Sequence, residues 1–332
     1  MTFPLRPTRR DALSAIGAAA TTMTLGRRPA SAAPDPVRFL IAAPLGIPAF
    51  VDYNIAIARG YYQAQNLDVS FVTVGGGAEV AKQVGAGNAD LGGGIGDTPI
   101  IVQANGVPVR DVAIKGGHSL AKLGFRTDRG INDVKDLRGK TVAVLSYSDT
   151  TYYALLGVLA KFNMTKSDVN IVAAGNAGSP QLVVSGNADA MCGVGDWTIV
   201  IEEAGVPLKV LSCDDYFPTM AASIIASNDA IAKRPTVIRR FVRASLHALR
   251  DVMNDPARAA SDFVTMVPSY KGREAEIQKT VAFYVRNVYS GQKRLGQIDP
   301  ARLDAVQSFY FKAGIIQKST PIGDLYTNDF ID

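Results

Sequence analysis

The sequence predicts an α/β protein built from two similar halves, each with a mainly parallel sheet flanked by helices. Strand-like runs alternate with helix-like runs from Val37 to Ser185, the order that lays strands side by side in parallel. One segment also occurs twice. Residues 84–110, VGAGNADLGGGIGDTPIIVQANGVPVR, and 183–209, VVSGNADAMCGVGDWTIVIEEAGVPLK, align at a constant offset of 99 without a gap, with 12 of 27 positions identical. That period is too long for a solenoid and marks two related domains. Composition agrees: 332 residues, 47% hydrophobic and 20% charged, suit about two globular domains and exclude a disordered or collagen-like chain.

Residues 1–32 read as an export signal. Arg9 and Arg10 precede an apolar run from Ala12 to Leu25, and Ala30-Ser31-Ala32 offers the small residues of a cleavage site. The run has 14 residues, short of the roughly 20 that span a membrane. Thr8-Arg9-Arg10-Asp11-Ala12-Leu13 resembles a twin-arginine signal, which implies a periplasmic protein; Ala33, not cysteine, follows the cleavage site, so no lipid anchor is expected. The leader also explains the basic charge. Arg6, Arg9, Arg10, Arg27 and Arg28 against Asp11 give it +4, leaving +1 of the formal +5 to the other 300 residues. So balanced a chain lacks the electrostatic footprint of a nucleic-acid binder.

The elements then follow in order. Val37–Ala43 reads as a strand, Pro44–Pro48 as a loop, and a helix ends near Gly60. Leu67–Val74 is a β-branched and aromatic strand, closed by Gly75-Gly76-Gly77 and a short helix. In each copy of the repeat the spacing predicts strand, glycine turn, helix, turn, strand, with Asp97 and Asp196 at the helix starts. Lys140–Leu145 and Val169–Ala173 are strands, Thr150–Phe162 a helix and Pro180–Ser185 a short one. After Ser227 the pattern turns helical, and Pro235 to Asn254 carries apolar Ile238, Phe241, Val242, Leu249 and Val252 on one face. Its opposite stripe, Arg239, Arg243, His247 and Arg250, reads as solvated. Cys192 and Cys213 are the only cysteines: a disulfide between them stays open, and two thiols alone make no metal site.

Four blocks in order resemble the substrate-binding proteins of bacterial ABC importers, in the sulfonate, nitrate, taurine and thiamine-precursor group. They are Ala58-Arg59-Gly60-Tyr61-Tyr62 with Asn66-Leu67-Asp68-Val69; Val84 through Gly87-Asn88-Ala89-Asp90; Asp136-Leu137-Arg138-Gly139-Lys140; and Asn228 to Ala244 followed by Asn254-Asp255-Pro256. The resemblance covers about 37–260. It implies the type II periplasmic-binding-protein fold, two lobes with a ligand cleft between them: lobe one from 36–118 and 216–332, lobe two from 119–215. It also implies a monomer that binds a small-molecule ligand, closes on it and engages a permease in the inner membrane, with no nucleic-acid partner.

In such sheets ligands sit beyond the carboxyl ends of the strands, against helix N-termini that welcome anions. The candidate ligand residues are therefore Gly46, Gly76 and Gly77 from lobe-one loops, and Ser146, Ser148, Thr150, Thr151 and Asn176 from lobe two. Asp97 and Asp196 are either helix caps or contacts to a ligand amine. Trp197, the single tryptophan, is a candidate stacking wall, with Tyr147, Tyr152 and Phe50 behind it; His118 is a candidate donor. Glycine and hydroxyl loops favour a sulfonate or carboxylate, and that is the leading expectation; the aspartates and Trp197 favour the alternative, an aminopyrimidine or other aromatic ring. An exported ligand sensor is a further reading. No Walker A, G-x-G-x-x-G, H-E-x-x-H, G-x-S-x-G or C-x-x-C sequence occurs, so no catalytic residue, cofactor or metal is expected. Pyrimidine-precursor synthases share the implied fold but rely on a cysteine-rich iron-binding motif, of which only Cys192 has a counterpart here.

Overall fold

A computed structural model describes residues 33–331; the export-signal expectation for 1–32 lies outside the described residues. The strands are β1 (Asp35–Ile41), β2 (Leu67–Thr73), β3 (Leu91–Ile95), β4 (Val109–Ile114), β5 (Lys122–Arg126), β6 (Thr141–Val144), β7 (Asn170–Ala173), β8 (Ala190–Gly193), β9 (Leu208–Ser212) and β10 (Ala222–Ser227). They form two five-stranded sheets of the same plan, β2-β1-β3-β10-β4 and β7-β6-β8-β5-β9. In each sheet one strand runs against the rest: β10 is antiparallel to β3 and β4, and β5 to β8 and β9. The reversed strands follow from connectivity. β5 opens the second sheet directly after the chain leaves the first, and β10 is where the chain returns.

The repeat builds equivalent corners of the two sheets. Gly87 and Gly186 turn the chain at φ +78° and +79°, a left-handed conformation that favours glycine. Asp90 then accepts the Arg38 amide at 2.8 Å, and Asp189 accepts the Thr141 amide at 2.9 Å, each pinning the incoming strand to its sheet neighbour. The inner strands β1 and β6 bury residues on both faces because helices cover both sides. Val37, Phe39 and Ile41 of β1 and Val142 and Val144 of β6 belong to the main core, while Leu40 and Ala143 face two smaller clusters on the other side.

Two segments cross between the sheets, residues 115–121 and 213–221, and run side by side. The Lys115 amide donates to Ala222 at 2.7 Å, Leu120 to Met220 at 3.0 Å and Cys213 to Ala121 at 3.1 Å. The helix Pro235–Asn254 has the bounds its periodicity predicts, and Phe241 stacks on Phe39 and Tyr62 at 4.8 and 5.1 Å. The helix Glu274–Tyr284 reaches across to the second sheet's flank, where Lys279 pairs with Glu203 at 2.8 Å. One helix begins earlier than the pattern predicts: Gly175–Val184 replaces Pro180–Ser185, because the Ser179 hydroxyl bridges Gly175 and Val144 carbonyls and holds the first turn ahead of Pro180. Cys192 and Cys213 are both buried free thiols. Among the described residues no helix is long and apolar enough to cross a membrane.

Candidate functional site

A cavity with about 670 Å³ of empty space, its solvent-open part included, lies between the carboxyl ends of the two sheets. One wall is Ala42, Ala43, Ile47, Phe50, Tyr53, Gly77 and the β3 glycines Gly93 and Gly94; the other is Leu145, Asp149, Thr150, Thr151, Asn176, Gly193, Val194 and Trp197. The floor is the crossing region, with Lys115, Leu120, Ala222 and Ser223.

Trp197 is held rigidly. Its indole lies on Gly193, where an added Cβ would stand 2.4 Å from the ring, and its Nε1 donates to Asn176 Oδ1 at 3.0 Å. Opposite, the Lys115 ammonium is buried, 2.8 Å from Asp52 Oδ2 and 3.7 Å from the centre of the Tyr53 ring. Burial lowers the Lys115 pKa, and Asp52 works against that shift. The buried Tyr53 hydroxyl makes no hydrogen bond, and burial followed by the Asp52 charge pushes its pKa well up.

At the rim the two lobes are clasped. Gly75 O accepts from the Ser146 and Ser148 hydroxyls at 2.6 and 3.0 Å, and the Ala78 amide donates to Ser148 O at 2.9 Å. The Gly77 amide donates to Asp149 Oδ2 at 3.3 Å, and the Thr98 and Thr150 hydroxyls meet at 2.8 Å. Asp149 also accepts the Thr151 amide and hydroxyl; burial raises its pKa while these bonds hold it down.

The sequence-predicted residues therefore separate. Gly77, Thr150, Thr151, Asn176 and Trp197 line the cavity. Gly76, Ser146 and Ser148 lie in the clasp. Gly46 packs on Val267 just outside the lining. Asp97 and Asp196 are neither side-chain caps nor part of the cavity wall: each is buried and accepts a phenol, from Tyr310 at 2.5 Å and from Tyr284 at 2.8 Å. His118 sits in a separate groove with Lys122, Asp214 and Arg286, its Nδ1 3.9 Å from Asp214. Of the weaker aromatic candidates Phe50 lines the cavity, while Tyr147 is exposed on the surface. The glycine-loop amides of Gly77 and Ala78 are already bonded to lobe two, so they offer an anion nothing. The sequence reading missed Asp52, Tyr53, Lys115 and Asp149. Lys115 carried a signal, since a charge directly after the apolar run Val112-Ala113-Ile114 must find a buried partner.

A family model described as NMT1/THI5 like matches residues 47–259. The chain belongs to the NMT1/THI5-like family. This NMT1/THI5-like chain is 25% identical over 291 residues to the riboflavin-binding protein RibY of Chloroflexus aurantiacus, covering 85% of this chain and 82% of that one. It is 24% identical to the 4-amino-5-hydroxymethyl-2-methylpyrimidine phosphate synthase of Schizosaccharomyces pombe, over 67% of this chain and 66% of that one. Among solved structures, the alkanesulfonate-binding protein SsuA of Xanthomonas axonopodis pv. citri matches with a TM-score of 0.70 and 16% identity, over 90% of this chain and 99% of that one. The periplasmic nitrate-binding protein NrtA of Synechocystis PCC 6803 gives a TM-score of 0.68 and 12% identity, over 90% and 87%. These structures place the fold of the NMT1/THI5-like chain with the periplasmic binding proteins. Its residues do not fit the iron site that the synthase resemblance implies, because neither cysteine lines the cavity and Cys192 Sγ is turned to the Thr151 carbonyl at 3.4 Å.

Proposed function

We propose that this protein is the periplasmic solute-binding component of an ABC import system and that it captures a flat, pyrimidine-type ring compound. Its lobes, 36–118 with 216–332 and 119–215, close on the ligand, and the closed monomer is what the permease recognises. The observation that carries the ring reading is the cavity itself. Trp197, Phe50 and Tyr53 all line it, and the only cation lining it among the described residues, Lys115, is already paired with Asp52. Asp149 adds a further carboxyl, so a sulfonate or carboxylate would enter without an uncompensated positive charge to meet it. The names of the relatives point the same way, because riboflavin and the aminopyrimidine product both contain a pyrimidine ring. Binding needs no covalent step, and among the described residues the cavity wall holds no cysteine or histidine.

Titration calorimetry of the folded chain tests this reading. Riboflavin or 4-amino-5-hydroxymethyl-2-methylpyrimidine is expected to bind, and taurine, an alkanesulfonate and nitrate are not. Trp197→Ala is expected to weaken ring binding by at least about tenfold, in keeping with the loss of a buried aromatic contact. Binding of the sulfonate alone, or unchanged ring affinity in the variant, would remove the ring reading.

A further inference from the structure

We propose that Lys115 and the Tyr53 hydroxyl decide which edge of the bound ring faces lobe one, and that this edge carries hydrogen-bond acceptors, ring carbonyls and not amino groups. The inference rests on the ring-binding reading above and gives it a chemical polarity. Both residues line the cavity, and both are almost wholly buried, at 2% and 1% exposure. Lys115 has three N–H bonds to donate. Asp52 Oδ2 takes one, at 2.8 Å, and the Tyr53 ring lies beneath the ammonium at 3.7 Å; no other acceptor reaches it among the described residues. The buried Tyr53 hydroxyl, whose ring lies under that ammonium, makes no hydrogen bond. Buried polar groups are nearly always partnered, so an ammonium with N–H bonds to spare and an unpartnered phenol, both on residues that line the cavity, indicate that the partner arrives with the ligand.

The chemistry of the two groups sets what that partner is. An ammonium only donates, whereas a phenol hydroxyl donates or accepts, so Lys115 sets the polarity and Tyr53 follows it. Asp52, the nearby acceptor, is fully buried and not part of the cavity wall. An amino edge would therefore set N–H against the Lys115 N–H bonds, whereas a carbonyl oxygen takes a bond from the ammonium and from the phenol alike. The compensated charge suits a carbonyl dipole better than a full anion. A further lining residue repeats the pattern. Asn176 Oδ1 is occupied by the Trp197 indole N–H, and its amide N–H groups make no hydrogen bond to the described residues. Asp149, the carboxyl that does line the cavity, has both oxygens engaged by Thr151 and Gly77. Donors on Lys115, Tyr53 and Asn176 thus share a cavity that Trp197 and Phe50 also line, and the ring they fit is a dione.

A matched pair of probes tests this: lumazine, the 2,4-dione of pteridine, and 2,4-diaminopteridine, with riboflavin alongside, measured by calorimetry on the whole chain. The chain is expected to bind lumazine at least about tenfold more tightly than the diamine, since a site built to donate rejects a partner that cannot accept. Tyr53→Phe keeps the ring and removes only the unpartnered hydroxyl. It is expected to keep the thermal midpoint, to weaken lumazine and riboflavin at least about fivefold, and to weaken the diamine less than either. Lys115→Met combined with Asp52→Asn removes the ion pair together, so no buried charge is stranded, and is expected to narrow the selectivity further. Equal binding of the two pteridines, or selectivity that survives both variants, overturns the inference and leaves the ring-binding reading standing. Failure of lumazine, the diamine and riboflavin alike overturns both.

Discussion

Asp97 and Asp196 hold the same place in the two copies of the repeat, and each takes a buried phenol from the helical tail. Burial raises both carboxyls to a pKa of about 6, with the tyrosine bonds pulling the other way. A folded-state pKa above the unfolded value of about 4 means that the native protein holds more protons between those two pH values. Stability therefore falls as pH rises through about 4 to 6 and levels off above it. For each group a rise from about 4 to about 6 corresponds to roughly 3 kcal/mol of stability lost across that window. Asp97→Asn keeps an oxygen for the Tyr310 hydroxyl and removes the ionisation. In urea unfolding, wild-type stability relative to this variant is expected to decline from about pH 4 to about pH 7 and then stay constant. A difference that does not change with pH would show that the carboxyl is not raised. The equivalence of the two aspartates was legible in the sequence, because the repeat aligns them. Their partners were not, since Tyr284 and Tyr310 lie outside the repeat, 88 and 213 residues away in the chain.

The element that most changed meaning is the pair of loops at the rim. Gly75–Gly77 and Ser146–Thr151 read as an oxyanion cradle, because glycine and hydroxyl groups before helices are what such a cradle needs. In the folded chain they satisfy each other. A short polar loop cannot announce from composition whether its donors meet a ligand or another loop, and only the approach of the two lobes decides it. Gly76 shows how tight that approach is. Its φ is +136°, and an added Cβ would stand 2.8 Å from Ser146 Oγ and 2.9 Å from the Asp149 amide. Gly76→Ala is therefore expected to push the loops apart. The clasp is partly exposed at the rim, while the core clusters of both sheets are untouched, so ligand affinity should drop by about tenfold or more with a smaller change in thermal midpoint. Calorimetry beside a melting curve separates the two, and equal affinity in the variant would show that the clasp does not govern binding. Helix Pro235–Asn254, by contrast, was legible to the residue, because an amphipathic face twenty residues long has one way to be buried.

For the whole molecule, the two-lobed plan was readable from the repeat and the βα alternation, while the reversed strands β5 and β10 were not, because they depend on where the chain crosses. The proposed closing motion turns on those crossings. Residues 115–121 and 213–221 lie side by side, so in that reading the lobes swing about them while each sheet keeps its own hydrogen bonds. What resists the swing is the clasp on one side and the contacts of the helix Glu274–Tyr284 with the second lobe on another. The Gly77 and Ala78 amides donate across the clasp, so their exchange with solvent reports its opening without any ligand. Ser146→Ala with Ser148→Ala removes the two hydroxyl bonds to Gly75 and leaves the backbone bonds intact. At about 0.5–1 kcal/mol for each rim bond, opening should become roughly 5- to 30-fold more frequent. Amide exchange at Gly77 and Ala78 is expected to accelerate by that factor, with β1 and β6 unaffected. Faster exchange throughout both sheets would mean that the serines support global stability, and no change at Gly77 would mean that the rim bonds do not hold the lobes together.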